Sequence, residues 1–294
     1  MRRIMIWGMA WGLLLGASAC DGGEPPATPA SPTAAAVQPA PGKHQLTLDH
    51  AGVTRRYRLH APASYDPATA VPLVIALHPF PGEGLGMSEM VGLDGKAEQE
   101  NFLVAYPDGI NGGFNALVCC GTADDVGFLR ALTEHLISEW RVNPDRVYLT
   151  GISNGGDLSF RAAVEATGVF AAIGVVSGGF GGPLAAAADY APRTPVSVIT
   201  FIGGQDRYVK EFQAGIRTWQ ERLRCAPATS TRVAETIGMT QARCADGSDV
   251  HVYVLDEMGH SWPGAKVGMI AAPTAGLVAT DQIWEFFAAH PRLS

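Results

Sequence analysis

The sequence is short of positive charge. Lys and Arg number 21 against 28 Asp and Glu, a net charge of −7. No basic stripe is available to meet phosphates, so a nucleic-acid partner is excluded. Long apolar runs are also missing near the start, where residues 4–15 form a stretch too short for a comfortable membrane span. No internal repeat appears. No metal-binding motif appears, and neither metal nor cofactor is expected. What is present is an ordinary globular mix, with 47% hydrophobic and 17% charged residues among 294. That length carries one large domain or two small ones, with a sizeable core either way.

The first residues read as an export signal. Arg2 and Arg3 precede the apolar run, and "GASAC" sets small residues ahead of Cys20. That pattern resembles a bacterial lipobox, with Ala17 where leucine is usual, and makes Cys20 the acylated first residue of the mature chain. A plain signal cleaved near Ala19 leaves Cys20 as an ordinary thiol. Residues 20–42, including "EPPATPASPTAAAVQPAPG", have almost no large apolar side chains and cannot bury enough surface to fold. Their prolines favour extended chain. The expected organisation is a signal over 1–19, a disordered tether over 20–42 and a folded domain over 43–294. It implies an exported protein, either lipid-anchored in the periplasm or at the cell surface, or secreted.

Within 43–294, "QLTLDH" and "TRRYRLHAP" alternate as strands about an "AG" turn, which predicts an opening β-hairpin. "VPLVIALH", "FLVAYP", "RVYLTG", "AAIGVVSGG", "VSVITFIGG" and "VHVYVLDE" are continuous β-rich apolar runs, as strands buried on both faces require. Helical spacing lies between them, as at Leu129, Leu132, Leu136 and Trp140, with Asp124 and Asp125 placed as N-terminal caps. Another helix should follow Ser153, and one more should run through "TDQIWEFFAAH" near the end. Strands alternating with helices predict an α/β fold, a mostly parallel sheet covered by helices on both faces.

Active sites in such sheets gather at the carboxyl ends of the strands. Gly151-Ile152-Ser153-Asn154-Gly155 is a G-x-S-x-G element between a strand and a predicted helix, the context of a nucleophile elbow. A serine hydroxyl needs a base. Among eight histidines, His260 follows the last core strand in "DEMGHSWPG" and satisfies the chain order Ser, acid, His of α/β-hydrolases. Asp206 ends the strand "VITFIGGQD" and is the favoured acid. Asp256 shares the histidine's own loop and is the rival. The oxyanion donors should be the backbone N–H of Asn154 and one from "HPFPG". Pro79 and Pro81 have none to give, which leaves Phe80. His78 is set beside the pocket, bracing that loop.

With these residues assigned, the chain resembles the polyhydroxybutyrate depolymerase-like and feruloyl esterase-like proteins of carbohydrate esterase family one, and most closely their LpqC-type lipoprotein esterases. "VIALH", "VAYPDGINGGFNALVCCGTADDVGFLRAL", "RVNPDRVYLTGISNGG", "GGQDRYV" and "GHSWPG" carry the resemblance. It implies an α/β-hydrolase with Ser153, Asp206 and His260 as its triad. This chain departs from the family at Pro79, where glycine is usual, and at Ile202, where histidine is common. It departs again around the catalytic histidine, at Glu257, Met258 and Ala265. The resemblance also implies a Cys225–Cys244 disulfide, one of three connectivities open to four cysteines in an exported protein. Cys119 and Cys120 then either bond to each other, as a stiff plate beside the site, or stay as thiols.

Trp262, two residues past His260, is placed over the pocket, with packing of its own loop as the alternative. Phe114 and Asn115 are placed at the same mouth. The reaction implied is hydrolysis of a carboxylic ester, with short hydroxyalkanoate oligoesters or aryl and feruloyl-type esters as substrates. Acyl transfer by the same three residues, or a tethered binding lipoprotein with a vestigial site, are the alternatives.

Overall fold

The computed structural model of the chain describes residues 38–292. The signal expected at 1–19, Cys20 and most of the 20–42 tether lie outside the described residues. β1 (Gly42–His50) turns at Ala51 and Gly52 into β2 (Val53–Ala61). Both turn residues have positive φ, 51° and 77°. That conformation matches the twist of a tight antiparallel hairpin.

There follow β3 (Val71–Leu77), α1 (Gly84–Val91), α2 (Leu93–Glu100), β4 (Leu103–Pro107), α3 (Asp125–Trp140), β5 (Val142–Ile152), α4 (Asn154–Glu165), β6 (Ala172–Val176) and α5 (Gly182–Ala186). The remaining elements are β7 (Ser197–Gly203), α6 (Val209–Arg222), β8 (Thr229–Ala234), β9 (Ile237–Arg243), β10 (Asp249–Leu255), the short parallel pair β11 (Trp262–Pro263) and β12 (Ala271–Ala272), and α7 (Ala279–Ala289). Ten strands make one sheet in the order β1-β2-β4-β3-β5-β6-β7-β10-β9-β8. The strands from β4 to β10 in that order pair in parallel, and an antiparallel hairpin extends each edge.

Every residue of β3 is buried. Leu73, Ile75 and Leu77 enter one core with Phe128 and Leu132 of α3, Leu158 of α4 and Trp219 of α6. Val74 and Ala76 enter the other, with Met87 of α1, Leu93 of α2 and Phe287 of α7. Each such side chain contributes roughly 1.5–3 kcal/mol on burial. Two covered faces explain why these strands read as unbroken apolar runs rather than alternating ones. The architecture is that of an α/β-hydrolase. β3 pairs with β4 on one side and β5 on the other. The chain order therefore reverses there, and a crevice opens at the carboxyl ends.

One local expectation is corrected. Asp124 caps α3, accepting from the Gly127 N–H at 2.9 Å. Asp125 is no cap: it is buried in the first turn and pairs with Arg55 at 2.6 Å. The polar stretch between Cys225 and Cys244 is a hairpin, β8 with β9, and all six residues of β8 are exposed. A strand without a buried face shows no apolar period.

Cys225 and Cys244 are disulfide-bonded and close this excursion, 19 residues apart. Replacing both with serine should lower unfolding stability by about 3 kcal/mol through loss of loop-closure entropy. The urea midpoint and m-value under non-reducing conditions are the measurement, with m rising as the unfolded chain opens.

Candidate active site

β5 ends at Ile152, α4 begins at Asn154, and Ser153 lies between them at φ 56°, ψ −121°. A left-handed φ is rare for any residue but glycine and is a strained position. The flanking glycines make it attainable. A Cβ on Gly151 would lie 2.5 Å from the Gly155 carbonyl, and one on Gly155 would lie 2.3 Å from the Leu77 oxygen. The strand–turn–helix junction can close only with hydrogen at both positions.

Asp206 follows β7 and His260 follows β10. The His260 Nδ1–H donates to Asp206 Oδ2 at 2.7 Å, and the Asp206 side chain is fully buried. A carboxylate can only accept, so Nδ1 carries the hydrogen and Nε2 keeps its lone pair. Asp206 Oδ1 accepts from the Tyr208 N–H at 3.0 Å, which fixes the carboxylate plane. The rival Asp256 is half-exposed and pairs with Arg232.

Gly203 and Gly204, which no sequence motif singled out, bring the acid and the histidine loops together. A Cβ on Gly203 would meet the Gly259 oxygen at 2.3 Å, and one on Gly204 the Asp256 oxygen at 2.6 Å. The Gly204 and Gln205 N–H groups donate to the carbonyls of Leu255 and Met258, at 2.7 and 2.9 Å. A "GG" at the end of a strand, with one residue between it and the acid, was the available signal.

His78 is wholly buried after β3. Its Nδ1–H donates to the Pro79 carbonyl at 2.8 Å, and Nε2 accepts from the Gly109 N–H at 2.9 Å. Burial holds its pKa below the usual histidine value, so the ring stays neutral and the tautomer is set. The Gly82 N–H bonds the Gly112 carbonyl at 3.0 Å. The "HPFPG" loop is thus tied at both ends to residues 109–112. Asn154 does more than begin a helix. Its Oδ1 accepts from the Phe114 N–H at 2.8 Å, and its Nδ2 donates to the carbonyls of Phe114 and Cys119 at 3.0 and 3.3 Å.

Ser153, Asn154, Phe80 and His260 line one cavity of about 720 Å³. Among the described residues no hydrogen bond joins the serine hydroxyl to His260, a looseness common in ligand-free hydrolases. The walls are mainly apolar, from Phe80, Val118, Phe180, Phe212 and the bonded pair Cys119–Cys120. Phe80 is 49% exposed at the rim.

Four expected pocket residues are corrected, because none of His78, Trp262, Phe114 and Asn115 lines this cavity. Trp262 is 1% exposed, with its Nε1–H on Thr280 Oγ1 at 3.1 Å, inside the core under α7. Phe114 is fully buried and packs tilted against His78 with ring centroids 4.4 Å apart, so both brace the loop from behind. Asn115 donates from its backbone to Asp125 and from its side chain to the Ala123 carbonyl.

Asp157, one turn into α4, lines the cavity although it is only 9% exposed. Its Oδ1 accepts from the Gly179 N–H at 2.8 Å. Burial raises its pKa to about 7, and the Gly179 bond opposes this only in part.

A profile of the family described as "Esterase PHB depolymerase" matches residues 67–192. Ser153 falls inside that stretch, and Asp206 and His260 fall beyond it. "Putative esterase NocK" of Nocardia uniformis subsp. tsuyamanensis is 32% identical over 327 aligned positions, spanning 94% of this chain and 93% of that protein. "Feruloyl esterase C" of Emericella nidulans is 28% identical over 245 positions, 80% of this chain and 84% of that one. Among solved structures, an acetyl xylan esterase from Aspergillus awamori shares the fold. Its TM-score is 0.63 at 16% identity, over 84% of this chain and 99% of that one.

Two outcomes follow from this geometry. Gly155→Ala should prevent the elbow from closing and yield unfolded or inactive protein, read by near-UV circular dichroism. Asp157→Asn should stabilise the fold in a pH-dependent way. The folded-state pKa is raised, so ionisation favours the unfolded chain as pH climbs from about 4 toward 7. The Tm gain of the variant should be small at pH 4, grow through that window and level off above pH 7.

Proposed function

The chain belongs to the esterase PHB depolymerase family and is a carboxylic ester hydrolase. From that premise we propose that Ser153, His260 and Asp206 carry the reaction. The observation that supports it most is a serine at φ 56° on a strand–helix junction, sharing one cavity with a histidine bonded at 2.7 Å to a buried aspartate.

His260 Nε2 takes the proton of Ser153 Oγ as that oxygen bonds to the ester carbonyl carbon. The carbonyl oxygen gains negative charge, which the backbone N–H groups of Asn154 and Phe80 receive. Each such donor is worth on the order of 10²–10³ in turnover. The intermediate collapses, the C–O bond to the alcohol breaks, and His260 returns its proton to the leaving oxygen. A water then repeats the cycle on the acyl-serine, releasing the acid and restoring Ser153. Asp206 holds the imidazole in the productive tautomer and offsets the charge of the imidazolium.

The apolar walls suit the acyl part of a short hydroxyalkanoate oligoester or an aryl ester. The names of the feruloyl and acetyl xylan esterase relatives favour small aromatic or acetyl esters within the same chemistry. Export fits two disulfides, which persist in oxidising compartments. We extend the proposal to a cleaved signal over 1–19, acylation at Cys20, and a tether over 20–42 that carries the domain of 43–294 at a membrane surface.

Ser153→Ala should lower kcat for p-nitrophenyl butyrate by on the order of 10⁶-fold, and Asp206→Asn by on the order of 10⁴-fold, with folding intact. Wild-type turnover in the serine variant, or its labelling by a fluorophosphonate, overturns the assignment.

A further inference from the structure

Asp157 has more hydrogen-bonding capacity than the fold uses. Oδ1 accepts from the Gly179 N–H. Among the described residues nothing bonds Oδ2, and no Lys, Arg or His pairs with the carboxyl. Arg207, Glu211 and His260 line the same cavity without bonding it. Holding one backbone N–H needs only a single acceptor, so the second oxygen has no structural task. Ser177, on the same cavity, is fully buried at φ 44°, and its hydroxyl also has no partner in the protein. Ser177 Oγ is thus buried without a partner, and Asp157 Oδ2 has none in the protein, on a cavity whose apolar wall is Phe180, Phe212, Ala185 and the Cys119–Cys120 bond.

Buried polar groups without partners are costly and are rarely left so without a reason. A ligand that satisfies them gains what an apolar ligand of the same shape cannot. Position narrows the ligand. Asp157 lies four residues after Ser153 on α4, about 6 Å along the helix axis. That distance is within reach of a short acyl chain held on Ser153.

We propose that Asp157 is a specificity-determining residue that hydrogen-bonds a hydroxyl group on the acyl portion of the ester, so that hydroxyacyl esters are preferred to their deoxy analogues. This rests on the hydrolase reading given above. The free oxygen, Oδ2, donates when the carboxyl is neutral and accepts when it is ionised, and a hydroxyl complements either form. An aliphatic 3-hydroxyacyl chain and a phenolic cinnamoyl group share this chemistry.

The test is a ratio of kcat/KM within matched pairs of p-nitrophenyl esters: 3-hydroxybutanoyl against butanoyl, and 4-hydroxycinnamoyl against cinnamoyl. In the wild type one pair should favour the hydroxylated ester by on the order of tenfold, as expected for one hydrogen bond to a group otherwise left unpaired. The pair that shows it identifies the aliphatic or the aromatic source. Asp157→Leu should bring that ratio close to one. Asp157→Asn, which keeps shape and a donor–acceptor pair, should retain most of it. A wild-type ratio near one in both pairs overturns the proposal with no variant required. A ratio unchanged in Asp157→Leu overturns it as well. Failure of the hydrolase reading is separate, and shows only as turnover that survives Ser153→Ala.

Discussion

Backbone contact without an intervening Cβ is the constraint on which the rest of the site depends. Gly151 and Gly155 bring the start of α4 against the ends of β5 and β3. Gly203 and Gly204 bring the loop after β7 against the loop that carries His260. Four strand ends are thereby joined through main chain, whose few soft dihedrals leave little play. Side-chain packing can relax around a change of a methylene. Carbonyl oxygens 2.3 Å from a would-be Cβ cannot. The short bond between His260 and Asp206 is a product of that interlock, because their loops are registered by the bonds from Gly204 and Gln205.

A second layer of contacts is polar and reaches outward to the hairpin at the sheet edge. Arg55 of β2 pairs with Asp125 at 2.6 Å, donates to the Asp108 carbonyl and lies 4.1 Å over the Phe128 ring. Asp125 in turn accepts from the Asn115 N–H, and Asn154 holds Phe114 and Cys119 from the other side. A buried ion pair costs desolvation, and its net worth depends on every remaining atom being matched. Here the matching partners are loop amides and carbonyls. The pair thus fixes where residues 108–119 run, more than it adds to stability. That loop forms one wall of the cavity and one anchor of "HPFPG".

Strands buried on both faces were legible because burial on both faces leaves a continuous apolar run. Ser153, Asp206 and His260 were legible as neighbours because each follows such a run. The hairpin β8–β9 was not, since an exposed strand has no face to mark. Trp262 was misplaced for a different reason. Whether an aromatic beside a histidine turns to the cavity or to the core is decided by Thr280 and α7, far along the chain. His78 and Phe114 pack against each other and vanish from the pocket together, which neither residue signals alone. Asp157 reads in sequence as the polar face of a helix. Its place in a cavity wall depends on the chain at residues 177–179 folding over it, a contact with no local signature. The pairing of Cys119 with Cys120, left open by spacing, is resolved as a bond between neighbours.

That bond gives the cavity an unusual kind of wall. Most pocket side chains swing between rotamers, and a guest that stills them forfeits some of its binding energy to lost motion. Two cysteines closed into one small ring have almost no motion left to lose. A guest resting on the sulfurs meets a surface ordered before it arrived, and a misfitting one finds nothing there that yields. Part of the cavity's selectivity is therefore settled at oxidative maturation, when the chain is made, and not at each encounter with an ester.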